Sequence, residues 1–194
     1  MSGLLGIDPL TRQEVEEILR RAKDFQTPLN EPSPRTDSLR GKLVVNVFFE
    51  PSTRTRVSFE IAAKRLGADV VSITASGSSV SKGESLVDTL NTLGAMRPHA
   101  IVMRHQASGA PHFLARHLTA PIINAGDGQH EHPTQAILDA RTILDHRESL
   151  ENLKVVIIGD IAHSRVARSN IHLLSKFGAE IILCGPSPLL PEGL

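Results

Sequence analysis

The stretch that decides the fold is LVVNVFFEPSTRTR, residues 43–56. Its first half is an almost continuous apolar run, which is typical of a strand buried on both faces of a parallel sheet. Ser52 follows as a candidate N-cap of a helix that runs to about Leu66, and Gly67 is placed to end that helix. The segment therefore predicts a buried strand that leads through a tight turn into a helix.

The first turn of this helix carries groups that bind oxyanions. Free backbone N–H groups and the positive end of the helix dipole favour an anion at a helix start. Ser52, Thr53 and Thr55 add neutral donors, and Arg54 adds a bidentate fork that matches phosphate geometry. Taken alone, Ser52 is more often a simple cap, but two arginines within one turn of a strand-to-helix junction favour an oxyanion site.

The predicted anion is a small phosphate compound rather than a nucleotide. Residues 48–56 lack the glycine-rich stretch of a nucleotide P-loop. The later segment Ile158-Gly159-Asp160 lacks the G-x-G-x-x-G spacing of a dinucleotide site.

Strand and helix patterns alternate along the rest of the chain, which predicts an α/β fold with a parallel sheet and helices on both faces. A junction is expected at Glu151-Asn152. It divides a first domain, 1–150, from the incomplete start of a second α/β domain, 151–194. Further helices are predicted over 11–26, from 86, and over 111–117, 133–146 and 164–177; further strands are predicted over 70–73, 100–103, 121–124, 154–159 and 180–183.

Composition limits the other classes of function. The formal net charge of zero gives no bulk attraction to nucleic acid or to an anionic membrane. No apolar run reaches the roughly 20 residues of a membrane span, and the single cysteine, Cys184, excludes an internal disulfide framework and indicates a cytoplasmic protein. Cys184 lies in an apolar run and is expected to be a small buried side chain. His130 and His132 lack the further ligands of a metal site, so neither metal nor cofactor is expected.

The segment STRTR, residues 52–56, resembles the phosphate motif of the carbamoyltransferase family, which comprises the aspartate and ornithine carbamoyltransferases. Four further segments agree with the family in order and type. The G-D-G before H-P-T-Q and the run H-S-R-V-A-R-S-N are similar to the aspartate branch, whereas the ornithine branch shares STRTR and H-P-x-Q. The four segments are SKGE at 81–84, VMRH at 102–105, NAGDGQHEHPTQ at 124–135 and GDIAHSRVARSN at 159–170.

The resemblance implies a carbamoyl-phosphate-binding domain with defined side-chain roles. Thr55, Arg104 and His132 are expected to contact the carbamoyl carbonyl oxygen, and Gln135 to accept from the carbamoyl amine. Arg165 matches the family's arginine for an aspartate carboxylate. The expected catalytic residues are Arg54, Thr55, Lys82, Arg104 and His132; the expected substrate-binding residues are Ser52, Thr53, Arg54, Thr55, Lys82, Arg104, His132, Gln135 and Arg165.

Lys82 lies in a loop rich in Ser and Gly. By resemblance this loop reaches into the active site of a neighbouring subunit, where Lys82 contacts phosphate and the second substrate. Ser78 or Ser79 is expected to assist, and the choice between them stays open. A shared site implies an oligomer, and the family pattern implies a homotrimer.

The reaction implied by the resemblance is carbamoyl transfer from carbamoyl phosphate to L-aspartate, which gives N-carbamoyl-L-aspartate and phosphate in pyrimidine biosynthesis. Two alternatives stay open: a carbamoyltransferase with ornithine or a related amine as acceptor, and a non-catalytic fragment that binds carbamoyl phosphate. A regulatory subunit or another enzyme of the pathway stays open as a partner.

Overall fold

The structure is a computed structural model that describes residues 3–29, 36–74 and 86–191. Internal contacts divide it into two compact units. Unit 1 comprises residues 1–5 and 28–128, and unit 2 comprises residues 6–27 and 129–194. This division by contacts does not test the predicted domains 1–150 and 151–194, which stay a prediction.

Unit 1 is built on a five-stranded sheet in which every described pair of strands is parallel, in the order β1-β5-β4-β2-β3. The predicted buried strand, β2, lies inside the sheet between β3 and β4. The strands are β1 Gly3–Leu4, β2 Leu43–Phe48, β3 Asp69–Thr74, β4 Ala100–His105 and β5 Ile122–Asp127; the helices are α2 Thr53–Arg65, α3 Leu86–Ala95 and α4 Ala110–His117.

Both faces of this sheet are covered, which confirms the predicted fold class. Alternate residues of β2 point to opposite faces. Val45 and Val47 pack in one core with Leu93 of α3 and Leu114 of α4. Val44 and Phe48, on the opposite face of β2, pack in a second core with Ala63 of α2. The double burial fixes where β2 ends and therefore where α2 begins.

The strand β1 was missed by the sequence-based prediction. Gly3 pairs with Ile122 and Leu4 with Ile123 at the edge of the sheet. A two-residue strand is too short to show a period of two, so no pattern could have indicated it. Gly3 has a φ of 127°, and a Cβ there would lie 1.9 Å from the carbonyl oxygen of Ile122, so only glycine fits.

The described part of unit 2 contains three α-helices and a two-stranded parallel sheet of β6 and β7. The predicted capping box at the start of the first helix is confirmed: the Thr11 N–H donates to Glu14 Oε2 at 2.8 Å, and the Glu14 N–H donates to Thr11 Oγ1 at 3.2 Å. Among the described residues, no helix combines the length and apolar character that a membrane span requires. The elements are α1 Arg12–Leu29, α5 Pro133–His146, β6 Lys154–Ile158, α6 Arg165–Ser175 and β7 Glu180–Cys184, followed by a short 3-10 helix at Ser187–Leu189.

The expectation that Cys184 is buried was wrong. Burial alternates along β7, and Cys184 is exposed on the same side of the strand as Ile182. That side is the more exposed one in β6 as well, where Ile158 is 75% exposed. An apolar run predicts a strand, but it does not tell which of the two faces is covered.

A buried carboxylate organises the segment before α5. Glu131 is 1% exposed and accepts hydrogen bonds from the Ile7 N–H at 2.8 Å and the Ser169 hydroxyl at 2.8 Å. The Asp8 N–H is a third donor, at 3.3 Å. Three donors from two other segments of unit 2 therefore meet on one side chain. A charge buried in this way is stable only while it is hydrogen-bonded.

We expect Glu131→Ala to lower the free energy of unfolding by about 3 kcal/mol, because it leaves buried donors without an acceptor at roughly 1–3 kcal/mol each. Urea unfolding followed by circular dichroism measures the change. Glu16→Ala is the matched control, since Glu16 forms an exposed ion pair with Arg12, and it should cost less than about 1 kcal/mol. Equal losses in the two variants would contradict the role of the Glu131 network.

Candidate active site

The start of α2 leaves its polar groups available to a ligand. Ser52 is the N-cap, with extended backbone angles of φ −160° and ψ 95°, and its hydroxyl makes no capping hydrogen bond. The first intrahelical hydrogen bond runs from the Arg56 N–H to the Ser52 carbonyl oxygen at 3.1 Å. The preceding N–H groups of the first turn have no partner within the helix. Ser52 therefore occupies the predicted N-cap position, but its hydroxyl does not cap the helix.

The charges near this turn favour an anion. The first turn of α2 contains no acidic residue. Arg56 Nη1 lies 3.6 Å from Glu60 Oε2, so its charge is partly balanced along the helix. Arg54 is exposed and forms no ion pair with the part of the chain that the structure describes. Arg54 thus supplies the net positive charge of the turn.

Arg104 lies near the carboxyl end of β4, next to the carboxyl end of β2, from which the chain continues into α2. Arg104 and Phe48 are paired in the register of β4 and β2, and the Phe49 N–H donates to the Arg104 carbonyl oxygen at 2.9 Å. The Arg104 side chain is only 11% exposed, and its Nη2 contacts Glu50 Oε1. Its Nε is buried without a hydrogen-bond partner among the described residues. A buried, unpaired guanidinium donor beside an anion-binding turn is a group suited to bind an oxygen of a ligand.

The ends of β4 and β5 are tied together by polar contacts. Asp127, fully buried, accepts from the Gly109 N–H at 2.7 Å and from Asn124 Nδ2 at 2.8 Å. The Gly128 N–H donates to the His105 carbonyl oxygen at 2.9 Å. Burial lowers the pKa of His105, whose ring lies edge-on to Phe49 with centroids 5.1 Å apart. These contacts hold the strand end that carries Arg104.

In unit 2, His132 precedes the first residue of α5. It is the N-cap of that helix, Pro133 occupies the first helical position as predicted, and the imidazole makes no capping hydrogen bond. His132 is 6% exposed, and its backbone N–H donates to Ser169 Oγ at 2.9 Å. Since the same hydroxyl donates to Glu131, the backbone at His132 is fixed by a buried chain of hydrogen bonds.

Gln135 lies in the first turn of α5, and its amide is hydrogen-bonded to a residue one turn later in the same helix. Gln135 Nε2 donates to Asp139 Oδ1 at 2.9 Å. Asp139 Oδ2 accepts from Asn170 Nδ2 of α6 at 2.8 Å. The carboxylate therefore links Gln135 to the neighbouring helix.

Arg165 is the first residue of α6 and is half-buried. Ser164 caps the helix by accepting from the Ala167 N–H at 3.1 Å. The Ser164 hydroxyl thus satisfies one of the N–H groups at the helix start, and the Arg165 side chain adds a positive charge there. A cation at this end is mildly disfavoured by the helix dipole.

The predicted site residues thus fall in two groups, each ordered within its own unit. Unit 1 brings Arg104 to the sheet edge where α2 begins, together with the hydroxyls and guanidinium of the first turn. Unit 2 places His132 and Gln135 at the start of α5 and Arg165 at the start of α6. Lys82, Ser78 and Ser79 lie outside the described residues.

Sequence reasoning missed the residues that hold the site residues in place. Gln135 and Asp139 are spaced i, i+4 on a predicted helix, so this pair could have been found. Glu50 beside Arg104 and Ser169 beside His132 are partners across the fold. No local pattern in the sequence indicates them.

A model of a known family matches most of the chain. The family is described as "Aspartate/ornithine carbamoyltransferase, carbamoyl-P binding domain", and the match covers residues 3–145. The chain belongs to the aspartate/ornithine carbamoyltransferase family.

Curated members of this family show high identity. The aspartate carbamoyltransferase catalytic subunit of Solibacter usitatus is 76% identical over 193 residues, which are 100% of this chain and 64% of that protein. The same subunit of Syntrophobacter fumaroxidans is 56% identical over 188 residues, 97% of this chain and 62% of that protein. The chain therefore spans somewhat over three fifths of the length of these relatives.

Solved structures of the family share the fold. Aspartate transcarbamoylase from Trypanosoma cruzi in complex with carbamoyl phosphate is similar with a TM-score of 0.91 and 33% identity, over 98% of this chain and 59% of that chain. The catalytic subunit of M. jannaschii aspartate transcarbamoylase has a TM-score of 0.89 and 39% identity, over 99% of this chain and 63% of that chain.

We expect stability to fall as the pH drops below about 6.5, partly through His105. A histidine whose pKa is lowered by folding binds fewer protons in the folded than in the unfolded state, so folding is favoured above the unfolded pKa. One such proton contributes up to about 1.4 kcal/mol per pH unit. Urea midpoints at pH 7.5 and 5.5 should differ less in His105→Asn than in the wild type. The control His117→Asn, at an exposed position of α4, should keep the wild-type difference, and an unaltered difference in His105→Asn would contradict the assignment.

Proposed function

We propose that this chain forms the carbamoyl-phosphate-binding part of an aspartate carbamoyltransferase. The enzyme transfers the carbamoyl group of carbamoyl phosphate to the amino group of L-aspartate, a step of pyrimidine biosynthesis. The products are N-carbamoyl-L-aspartate and phosphate. A cytoplasmic location belongs to the same proposal.

The observation that carries the proposal is the anion-binding start of α2. Its N-cap hydroxyl is not used for capping, its first turn lacks acidic residues, and Arg54 is unpaired among the described residues. Ser52, Thr53 and Thr55 surround the same turn with hydroxyls. Such a turn suits a phosphate dianion, because N–H groups, hydroxyls and a guanidinium all donate to its oxygens.

Arg104 and His132 are proposed to act on the carbamoyl carbonyl oxygen, together with Thr55. The buried, unpaired Nε of Arg104 supports this role. The aspartate amine attacks the carbamoyl carbon, and the carbonyl oxygen gains negative charge in the tetrahedral transition state. A donor aimed at such an oxygen typically contributes about 2.7–4 kcal/mol to transition-state stabilisation.

The reaction needs neither an enzyme nucleophile nor a redox partner. A C–N bond forms between the aspartate nitrogen and the carbamoyl carbon, and the bond from that carbon to the phosphate oxygen breaks. The attacking nitrogen loses one proton, for which the departing phosphate is a suitable base. Holding two anions together in the right orientation can supply on the order of 7–11 kcal/mol of the rate enhancement.

Aspartate rather than ornithine is proposed as the acceptor, with Arg165 binding one of its carboxylates. Arg165 is the first residue of α6, and it matches the family's arginine for an aspartate carboxylate in the segment GDIAHSRVARSN at 159–170. Solved relatives support the choice: one structure of Trypanosoma cruzi aspartate transcarbamoylase holds carbamoyl aspartate and phosphate, and another holds carbamoyl phosphate and aspartate.

The active site is proposed to be shared within a homotrimer, in which Lys82 of one subunit reaches the phosphate and aspartate bound to the next. Ser78 or Ser79 would assist from the same segment. A regulatory subunit or another enzyme of the pathway is a further candidate partner. These proposals rest on the family resemblance of the SKGE segment at 81–84.

We expect Arg54→Ala to weaken carbamoyl phosphate binding by at least about 100-fold, because a bidentate, charge-assisted pair is lost at about 1.5–3 kcal/mol per hydrogen bond. Isothermal titration with carbamoyl phosphate measures the affinity, and thermal melting checks the fold. Arg65→Ala is the matched control, since Arg65 is an exposed arginine in the last turn of the same helix. It should keep wild-type affinity.

Two results would overturn the phosphate site. One is a folded wild-type protein that gives no binding heat with carbamoyl phosphate. The other is an Arg54→Ala variant that melts at a much lower temperature but binds carbamoyl phosphate as tightly as the wild type.

Arg165→Ala should raise the KM for aspartate on the order of tenfold or more, because the carboxylate loses a charged hydrogen bond of about 1.5–3 kcal/mol. Carbamoyl phosphate affinity should not change. A carbamoylation assay of the purified protein, with aspartate or ornithine as acceptor, measures both the KM and the choice of acceptor. Arg168→Ala, one turn later in α6, is the control. Consumption of ornithine but not aspartate would sink the assignment of the acceptor.

A further inference from the structure

We propose that Asp139 is a positioning residue that fixes the orientation of the Gln135 amide and so makes Gln135 a hydrogen-bond acceptor toward the carbamoyl amine. The inference deepens the proposed function and rests on it. It assigns to Asp139 the discrimination between a carbamoyl group and an acyl group of the same shape.

The two oxygens of Asp139 serve two different amides. Oδ1 accepts from Gln135 Nε2 at 2.9 Å, one helical turn earlier in α5, and Oδ2 accepts from Asn170 Nδ2 of α6 at 2.8 Å. All three side chains are partly buried. The carboxylate is therefore held between two helices that pack against each other within unit 2.

Asn170 anchors the carboxylate firmly. Its Nδ2 also donates to the Val166 carbonyl oxygen at 3.1 Å, one turn earlier in α6. One amide nitrogen thus has two hydrogens and two acceptors, so the Asn170 amide has a single favourable orientation. Asp139 in turn has a fixed position from which to act on Gln135.

A carboxylate selects one of the two orientations of a glutamine amide. An ionised carboxylate only accepts hydrogen bonds, whereas an amide has a donating nitrogen and an accepting oxygen. Rotation of the Gln135 amide by 180° would set its Oε1 against Asp139 Oδ1, where two acceptors repel. The nitrogen therefore faces Asp139, and Oε1 is the end left for a ligand.

An oriented Oε1 allows the site to distinguish a carbamoyl group from an acetyl group. The carbamoyl group carries an NH₂ that donates to Oε1, while the acetyl group of acetyl phosphate carries a methyl of similar size that cannot donate. A site built to hydrogen-bond a substrate NH discriminates against an analogue that lacks it. The phosphate and carbonyl oxygen are common to both compounds, so the contact with Oε1 falls on the one group in which they differ.

The test is the ratio of acetyl phosphate Kd to carbamoyl phosphate Kd, measured by isothermal titration of the purified protein. Asp139→Asn is isosteric, but its NH₂ can face Gln135 and reverse the amide. We expect the ratio to fall by roughly three- to tenfold, the worth of one hydrogen bond, through weaker carbamoyl phosphate binding with acetyl phosphate affinity retained. Gln135→Ala should lower the ratio similarly, and the double variant should show no further loss.

Asp145→Asn is the matched control, because it removes a carboxylate from the same helix that pairs with Arg141 and Gln26 instead. Its ratio should equal that of the wild type. If Asp139→Asn does not fold, Asn170→Ala supplies the test, since it releases the carboxylate from α6 and should lower the same ratio by a smaller factor.

The outcomes separate this inference from the proposed function. A wild-type protein that prefers carbamoyl phosphate, with the same preference in folded Asp139→Asn, overturns the role of Asp139 and leaves the phosphate site standing. Equal loss of both affinities in Asp139→Asn assigns it a general structural role and also overturns the inference. A wild-type protein that binds neither compound overturns both proposals.

Discussion

The candidate site depends on one electrostatic constraint: where α2 follows β2, the first N–H groups of the helix have no partner within the helix. β2 lies inside a parallel sheet with a hydrophobic core on each face. The direction in which the chain leaves the sheet, and therefore the direction of those N–H groups, is set by burial rather than by the turn itself. A helix start fixed in this way is preorganised for an anion, since no rearrangement is needed when the ligand arrives.

The same logic governs the polar residues of unit 2. Glu131, Ser169 and the His132 backbone form a buried chain in which each group has a partner. Asp139 performs a similar task for Gln135, with less burial. A network of this kind is costly when incomplete and rigid when complete. Side chains that must present a defined donor or acceptor therefore stand on helix starts whose supporting contacts lie in the next helix.

Much of this fold could be predicted from the sequence because its elements carry strong local signals. The apolar run of β2, the cap at Ser52 and Gly67 after α2 bracket the central strand and helix, and the observed α2 ends within one or two residues of its predicted end. Gly67 adopts a φ of 84°, as a residue that ends a helix requires. The strand β1 could not be predicted because it is defined by its pairing with β5. The exposure of Cys184 could not be predicted because it depends on which face of β7 is covered by other segments.

The candidate site divides along the same line. Ser52 to Thr55 could be found because hydroxyls and guanidiniums at a helix start have a direct electrostatic meaning. Arg104 had a local signal only as a charge at a strand end. Its significance comes from its register with Phe48 and from its buried Nε, which has no hydrogen-bond partner in the described parts of the chain; both depend on the tertiary structure. Chemistry that resides in one segment is visible in the sequence, whereas chemistry made by convergence of segments requires the fold.

The charge distribution shows how a chain with no net charge can carry a local positive charge at the start of α2. Two carboxylates close to the anion-binding edge are each paired with a cation: Glu50 contacts Arg104, and Glu60 contacts Arg56 and Lys64. Arg54 has no such partner among the described residues. The positive charge at the start of α2 therefore comes from Arg54, because the nearby carboxylates are already paired with other cations. It does not need an excess of basic residues in the chain. Screening confines this charge to about a Debye length, roughly 8–10 Å at ordinary ionic strength, so its field acts on a small anion at the turn and hardly on the rest of an extended polyanion.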